Sequence, residues 1–230
     1  MFDRVSTGIS ELDEMVEGGI KKGSITLLEG AAGCGKSTLA VHFCLSDPKT
    51  FGTCLYISVE EDKKSFFENM QRYGLNLQEH ESSGDLIFHQ LNSAKLKDFM
   101  NKGTLGIEDI LVQNKVSRIV LDSISAFTLL YETEAQQRIA VQNLFEKLRV
   151  WNLTVFIVAE DSQDYRSFGL LYLVDGVLRM SYKKAGRQRV RTIEVLKMRG
   201  TKHRAGEVVY RIEDNGIVLY PREMILDSQT

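Results

Sequence analysis

Gly30-Ala31-Ala32-Gly33-Cys34-Gly35-Lys36-Ser37 satisfies the pattern G-x-x-x-x-G-K-[ST] at every specified position. Glycines at these spacings let the backbone curl until successive N–H groups point inward at phosphate oxygens, and the lysine brings a positive charge to the outer phosphates. Ser37 then offers its hydroxyl to a magnesium ion. Thr38 continues into a helix whose N-terminal dipole and free N–H groups favour an anion. The flanks decide between a phosphate loop and an ordinary glycine-rich turn. Ahead of the pattern, residues 24–29 form a short, apolar, β-prone run; behind it, residues 38–45 are rich in helix formers. Strand, loop and helix in that order are the context the motif requires, so residues 30–38 are the candidate nucleotide-binding residues.

The bulk numbers fit an ordinary globular protein. With 230 residues, 43% of them hydrophobic and 26% charged, the chain can bury a full core as one α/β domain spanning residues 1–230. A net charge of −2 supplies no strong basic field, so nucleic acid is not a favoured partner. The N-terminus shows no signal-peptide pattern and no apolar run is long enough to span a membrane, so a cytoplasmic location is expected. Cys34, Cys44 and Cys54 are three in number and lack C-x-x-C spacing, which argues for reduced thiols over a zinc site or a disulfide framework. Cys34 stands in the loop itself. A thiol beside helix N–H groups is open to oxidation, but a small residue fitted to a tight turn is the simpler reading.

Segments on either side extend the fold. Ser10 is placed to cap a short helix carrying Leu12, Met15 and Val16 on one face, and Gly18-Gly19 stops it. Residues 53–59 read as a buried strand ending at Glu60-Glu61. Phe66, Phe67, Met70 and Tyr73 then recur at helical spacing. Residues 86–91 and 118–123 read as strands, the second ending in Asp122. A helix is predicted over 105–112, and a long one over 132–151 with Ile139, Val141, Leu144, Phe145 and Leu148 on its packed face. Residues 154–159 form a further apolar strand. Apolar strands alternating with helices predict a mostly parallel sheet covered on both faces. Beyond residue 176, strand-like runs separated by turns, including Asn215-Gly216, predict an antiparallel C-terminal extension.

Nucleotide hydrolysis needs a cradle for phosphates, a holder for magnesium, a group to orient or deprotonate water, and positive charge for the transition state. Asp122, emerging from an apolar strand, suits the second magnesium position. Glu60 and Glu61 also leave a carboxyl strand end, where either can take a proton from the attacking water; the same acids can equally stabilise a helix start. Lys197 and Arg199 lie two apart on a predicted strand and so share a face. Taken alone, that pair reads as a solvated edge strand as readily as a cationic fork. The basic stretch 183–189 reads as a solvated hairpin turn.

Four stretches together resemble the KaiC-type branch of the RecA-like ATPases over nearly the full length. They are Ser6-Thr7-Gly8-Ile9 through Leu12-Asp13 with Gly18-Gly19-Ile20; the phosphate loop; Tyr56-Ile57-Ser58-Val59-Glu60-Glu61; and Val195-Leu196-Lys197-Met198-Arg199-Gly200-Thr201-Lys202-His203. The last is the most specific. The resemblance implies a RecA-like P-loop fold, ATP and Mg2+ as ligands, and Glu60 and Glu61 as catalytic carboxylates. It further implies a homo-oligomeric, hexameric ring in which Lys197, Arg199 and His203 reach the γ-phosphate of nucleotide held by a neighbour. By the same correspondence Arg191, Ile212 and Asp214 approach the neighbour's base and sugar. There are departures from the family pattern. Two-domain members carry autophosphorylated Ser and Thr before an Asp that precedes a late strand, where this chain has Leu171-Tyr172, so a Ser/Thr autokinase cycle there is not expected. Cys34 replaces the usual Thr or Ser, and the connection 161–169 is unusual. The resulting expectation is a slow Mg-dependent ATPase with a regulatory or signalling role. The alternatives are a nucleotide-gated scaffold that docks on a protein partner and a recombinase-like DNA-binding protein.

Overall fold

The computed structural model describes residues 3–91, 95, 107–160, 169–185 and 188–223. In chain order the elements are β1 (Arg4–Val5), α1 (Ser10–Met15), β2 (Ile20–Lys21), β3 (Ile25–Gly30), α2 (Lys36–Leu45), α3 (Pro48–Phe51), β4 (Thr53–Ser58), α4 (Lys63–Gln71), α5 (Leu77–Ser82) and β5 (Leu86–Gln90). They continue with α6 (Ile107–Gln113), β6 (Val116–Asp122), α7 (Ile124–Thr128), α8 (Glu134–Val150), β7 (Thr154–Glu160), α9 (Leu170–Leu173), β8 (Gly176–Ala185), β9 (Gln188–Met198), β10 (Glu207–Glu213) and β11 (Gly216–Tyr220).

Nine strands form one sheet in the order β11-β10-β9-β8-β3-β7-β6-β4-β5. From β5 through β8 every pairing is parallel, and β8, β9, β10 and β11 pair antiparallel. The expected mostly parallel α/β sheet with an antiparallel C-terminal extension is therefore what the chain adopts. The loop-bearing strand β3 lies mid-sheet, and all six of its residues are buried. Its side chains alternate between two cores, with Leu28 facing the α1, α2 and α4 side while Ile25 and Leu27 face the α7 and α8 side. A strand covered on both faces must be apolar throughout, which is why residues 25–28 show no polar alternation beyond Thr26.

Helix α2 is seated on that sheet through Phe43, whose ring stacks on Phe156 of β7 with centroids 4.3 Å apart. Its C-terminal end is closed by Arg118 of β6, a fully buried side chain. The guanidinium donates to Phe43 O and Ser46 O at 2.7 Å each and to Gly52 O at 2.6 Å. A cation beside carbonyls at a helix C-terminus suits the dipole and adds donors where the helix itself supplies none.

Two local expectations are corrected. Ser10 is the first residue of α1 and not its cap; the capping position is Ile9, which makes no side-chain cap bond. The turn ahead of α1 is instead held by the Asp13 carboxylate, which accepts from Ser6 Oγ at 2.5 Å, Thr7 N at 2.8 Å and Thr7 Oγ1 at 2.7 Å. Ile139, predicted to face the core, is 57% exposed, while Val141, Leu144, Phe145 and Leu148 are buried. The buried four follow i, i+3, i+4, i+7, and Ile139, two residues before the first, falls on the far side of the helix. The Asn215-Gly216 signal does mark a hairpin, with Glu213 opposite Gly216. Of the helix predicted over 105–112, the described part is α6; Leu105 and most of the connection 161–169 lie outside the described residues.

Candidate nucleotide site

The site begins at the carboxyl end of β3. Gly30 pairs with Met180 on one side and Glu160 on the other, and a Cβ at Gly30 would stand 2.3 Å from the Met180 carbonyl oxygen. Only glycine lets β3 lie this close to β8 where the loop departs. Gly35 initiates α2 at φ +92°, a left-handed value that favours glycine, with Ile212 Cδ1 2.8 Å from where a Cβ would stand. Lys36 follows as the first residue of α2. It is only 9% exposed, and its ammonium donates to Gly30 O at 2.9 Å and Ala31 O at 3.0 Å. The ammonium is thus held over the concave side of the loop, where phosphate charge belongs. Cys34 is fully buried and burial pushes its thiol above the ordinary value, which supports its reading as a small residue in a tight turn. Thr38 is buried on α2 one position past Ser37.

The acids gather at the same edge because β4, β6 and β7 run parallel to β3 and all end there. Ser58 of β4 is level with Asp122 of β6, and Val59 N donates to Asp122 O at 2.8 Å. One strand, β7, lies between β6 and β3. The peptide between Asp122 and Ser123 is cis. The Asp122 carboxylate accepts from Tyr56 Oη at 2.6 Å, and the Ser37 side chain lies beside it. Burial raises its pKa, and those two side chains oppose the rise. Glu60 accepts from Ser123 Oγ at 2.6 Å, which ties it to the residue after Asp122. Glu61 is anchored by its backbone, with Ser58 Oγ donating to its carbonyl at 2.9 Å. Desolvation raises the Glu61 pKa, and the charges of Asp122 and Glu60 push it the same way. Three carboxylates therefore share one edge with mutual repulsion. The acid that caps the following helix is a fourth, Asp62, which accepts from Ser65 N at 3.1 Å. Glu60 and Glu61 are left free of that duty.

Lys197 and Arg199 sit elsewhere. Val177 of β8 pairs with Lys197 and with Leu27 of β3, so Lys197 lies level with Leu27, three residues short of Gly30. At about 3.3 Å per residue and 4.8 Å per strand, that is roughly 10 Å along the sheet and 10 Å across it, beyond the reach of a lysine side chain. The ammonium donates instead to Leu171 O at 2.9 Å and Val174 O at 2.7 Å. Arg199 donates to Tyr172 O at 3.1 Å and stands 3.7 Å from Asp175, which also lies 3.7 Å from Arg149. Burial and the Arg199 charge lower the Lys197 pKa. His203 follows in the β9–β10 connection, with Nδ1 3.2 Å from Arg204 O.

Arg191 and Ile212, expected to approach a neighbour's base and sugar, lie on β9 and β10. Arg191 pairs with Tyr210, whose hydroxyl donates to Cys34 O, and its guanidinium lies 4.6 Å from the Tyr182 ring. Ile212 abuts Gly35 as described. Asp214 is exposed in the β10–β11 turn, with its backbone packed on Gly74. Tyr56 and Glu160 went unremarked as site residues in the sequence. Glu160 carries the signal that drew attention to Asp122, an acid closing an apolar strand. A lone tyrosine inside the apolar run 53–59 carried only a weak one.

A loop of this pattern at the carboxyl edge of a RecA-like sheet, with acids on the neighbouring strand ends, defines a nucleotide-binding P-loop protein. Residues 5–224 match the sequence model of the family described as "ATPase: KaiC", and the chain belongs to that family. It is 29% identical over 230 residues to the circadian clock oscillator protein KaiC of Nostoc, covering 95% of this chain and 44% of that one. The chain thus spans less than half the length of that KaiC. A UPF0273 protein of Thermotoga maritima is 28% identical over 240 residues, with 97% of this chain and 98% of the relative covered. The crystal structure of a KaiC-like protein from Pyrococcus horikoshii superposes with a TM-score of 0.84 at 26% identity, covering 96% of this chain and all of the other.

Proposed function

We propose that residues 1–230 act as one cytoplasmic ATPase domain that binds ATP with magnesium and hydrolyses it slowly, at sites shared between neighbouring copies in a ring, in a regulatory or signalling role. One observation carries this reading: the phosphate loop and three carboxylates share one edge of the sheet, while Lys197 and Arg199 lie beyond reach at the other end of the strands. Lys197 and Arg199 of the same copy are too far away to serve this site, so in this reading another copy supplies them. His203 joins that shared site from the neighbour, and Arg191, Ile212 and Asp214 approach the neighbour's base and sugar.

The donors fit magnesium. Ser37 and Asp122 offer oxygens alone, as this hard cation prefers, and the crowded carboxylates call for a counter-charge. Among the described residues no group of three or more His, Cys, Asp or Glu forms a metal cage of its own. That suits a cation held by one or two protein oxygens, waters and substrate phosphates. Held by Ser37 and Asp122, magnesium would supply positive charge to offset that of the phosphates. The loop amides and Lys36 bind and orient the phosphates, Glu60 and Glu61 hold the attacking water and take its proton, and the neighbour's Lys197 and Arg199 offset charge developing on the γ-phosphoryl group.

The test is complementation. Lys197→Ala subunits and Glu60→Gln/Glu61→Gln subunits are each expected to be inactive in phosphate release, and mixing them to restore part of the rate, because some interfaces then pair an intact loop face with an intact cation face. No gain on mixing, with a ring verified by mass in magnesium ATP, would refute the shared site. A second reading, a nucleotide-gated scaffold without turnover that docks on a protein partner, is favoured by the engagement of Lys197 and Arg199 with their own chain's carbonyls. Its signature is a nucleotide-dependent change in mass with no phosphate release by the wild type.

A further inference from the structure

We propose that Tyr56 is a positioning residue for the magnesium site, its hydroxyl fixing the Asp122 carboxylate and the Ser37 side chain relative to one another. The proposal rests on the reading of Ser37 and Asp122 as the cation's protein ligands.

The geometry follows from strand register. β4 and β6 are neighbours with Ser58 opposite Asp122, so Tyr56 stands two residues toward the amino edge, roughly 6.6 Å at the usual rise. A tyrosine side chain directed along the sheet spans that gap and brings its oxygen level with the carboxylate. Tyr56 Oη accordingly donates to Asp122 Oδ2 at 2.6 Å, with the Ser37 side chain beside both groups. Ser37, Asp122 and Tyr56 thus come from the loop helix, β6 and β4 and meet at one point.

The ring has no freedom to leave. Phe66 of α4 lies 5.0 Å from its centroid and Phe88 of β5 stacks on it at 5.5 Å, and the residue is 1% exposed. A phenylalanine would fill this space as well without the cost of burying a hydroxyl, so packing alone gives no reason for a tyrosine. The partner of that hydroxyl, Asp122, and the neighbouring Ser37 are both groups assigned to the cation. Occupying Oδ2 leaves Oδ1 for the cation or for a water upon it. Partners that orient a metal's own ligands commonly govern 10- to 100-fold in metal affinity.

Tyr56→Phe tests this with binding as the readout. The magnesium concentration giving half-maximal binding of a fluorescent ATP analogue is expected to rise about tenfold. Affinity for the analogue in EDTA is expected to stay within about twofold, because the loop amides and Lys36 are untouched. An unchanged magnesium requirement overturns the proposal. An equal loss with and without magnesium overturns it too, since that is the mark of a packing role. Asp122→Asn separates the two layers of the argument. If it raises the magnesium requirement and Tyr56→Phe does not, the positioning role alone fails. If Asp122→Asn itself leaves the requirement at the wild-type value, the reading of Asp122 fails and the proposal with it.

Discussion

The two ends of the parallel strands carry opposite kinds of unfinished chemistry. At the carboxyl end a phosphate loop and Lys36 stand beside Glu60, Glu61 and Asp122, where burial first, and then the other two acids, raise the Glu61 pKa. At the amino end Lys197 and Arg199 are fully engaged, but by the backbone of α9 and by Asp175, which form no binding site for phosphate. The difference teaches that the fold keeps these two groups of charges apart, as the proposed shared site requires. The cations are held ready, in a defined orientation, at a surface where a second copy can meet them. Hydrogen bonds to α9 carbonyls lower the entropy cost of presenting two long side chains.

Each prediction strains one side of this contrast. The largest effect is expected from Arg199→Ala, which should lower phosphate release by about 10³-fold or more while nucleotide affinity of the isolated subunit stays within about twofold. A matching loss of affinity in the isolated subunit would break the contrast, because the corner would then belong to its own chain's site. Next, Glu60→Gln with Glu61→Gln should slow phosphate release by about 10²-fold and leave binding of magnesium ATP in place. An undiminished rate would return these acids to the role of helix-start residues.

A smaller effect concerns the helix that carries the loop. His42 of α2 accepts from Ile217 N at 2.9 Å through Nε2, and it is also bonded to the Gly8 backbone, so it links α2 to the C-terminal hairpin and the lead-in segment. Burial pushes its pKa down to about 4 from an ordinary 6.5. The unfolded chain therefore binds the proton more readily than the folded one. Stability contributed by the neutral imidazole is complete above pH 6.5 and is lost as pH falls toward 4, by at most about 3 kcal/mol after allowing for partial exposure. Urea unfolding across that range should show the slope, and His42→Gln should flatten it. The smallest effect belongs to the amino-end corner: Asp175→Asn, which removes the charge beside Arg149 and Arg199, should cost about 0.5–1 kcal/mol in urea unfolding, less at high salt. A loss several times larger would mean that the corner holds the fold together and does more than present cations.

How much of this was legible in the chain depends on the range of the interaction involved. The loop is a local object: its glycines, Lys36 and Ser37 act within one turn of backbone, so eight consecutive letters specify it. The apolar runs ending in Glu60 and Asp122 were readable because a parallel strand covered on both faces must be apolar until it emerges. The packed face of α8 was misread at Ile139 because apolar character alone does not set the phase of a helix; the sheet beneath it does. The cap of α1 was misread because a carboxylate three residues inside the helix, Asp13, took over the turn.

Sequence by itself determined the phosphate loop, the order of strands and helices, and which side chains bear the charges. Only the tertiary structure decided their distances. Register across β3, β8 and β9 put Lys197 level with Leu27 and away from Gly30, and packing put Ile212 beside Gly35. Register between β4 and β6 brought Tyr56 to Asp122. Pairing between strands far apart in the chain is set by how whole faces pack, and no local pattern of letters encodes it.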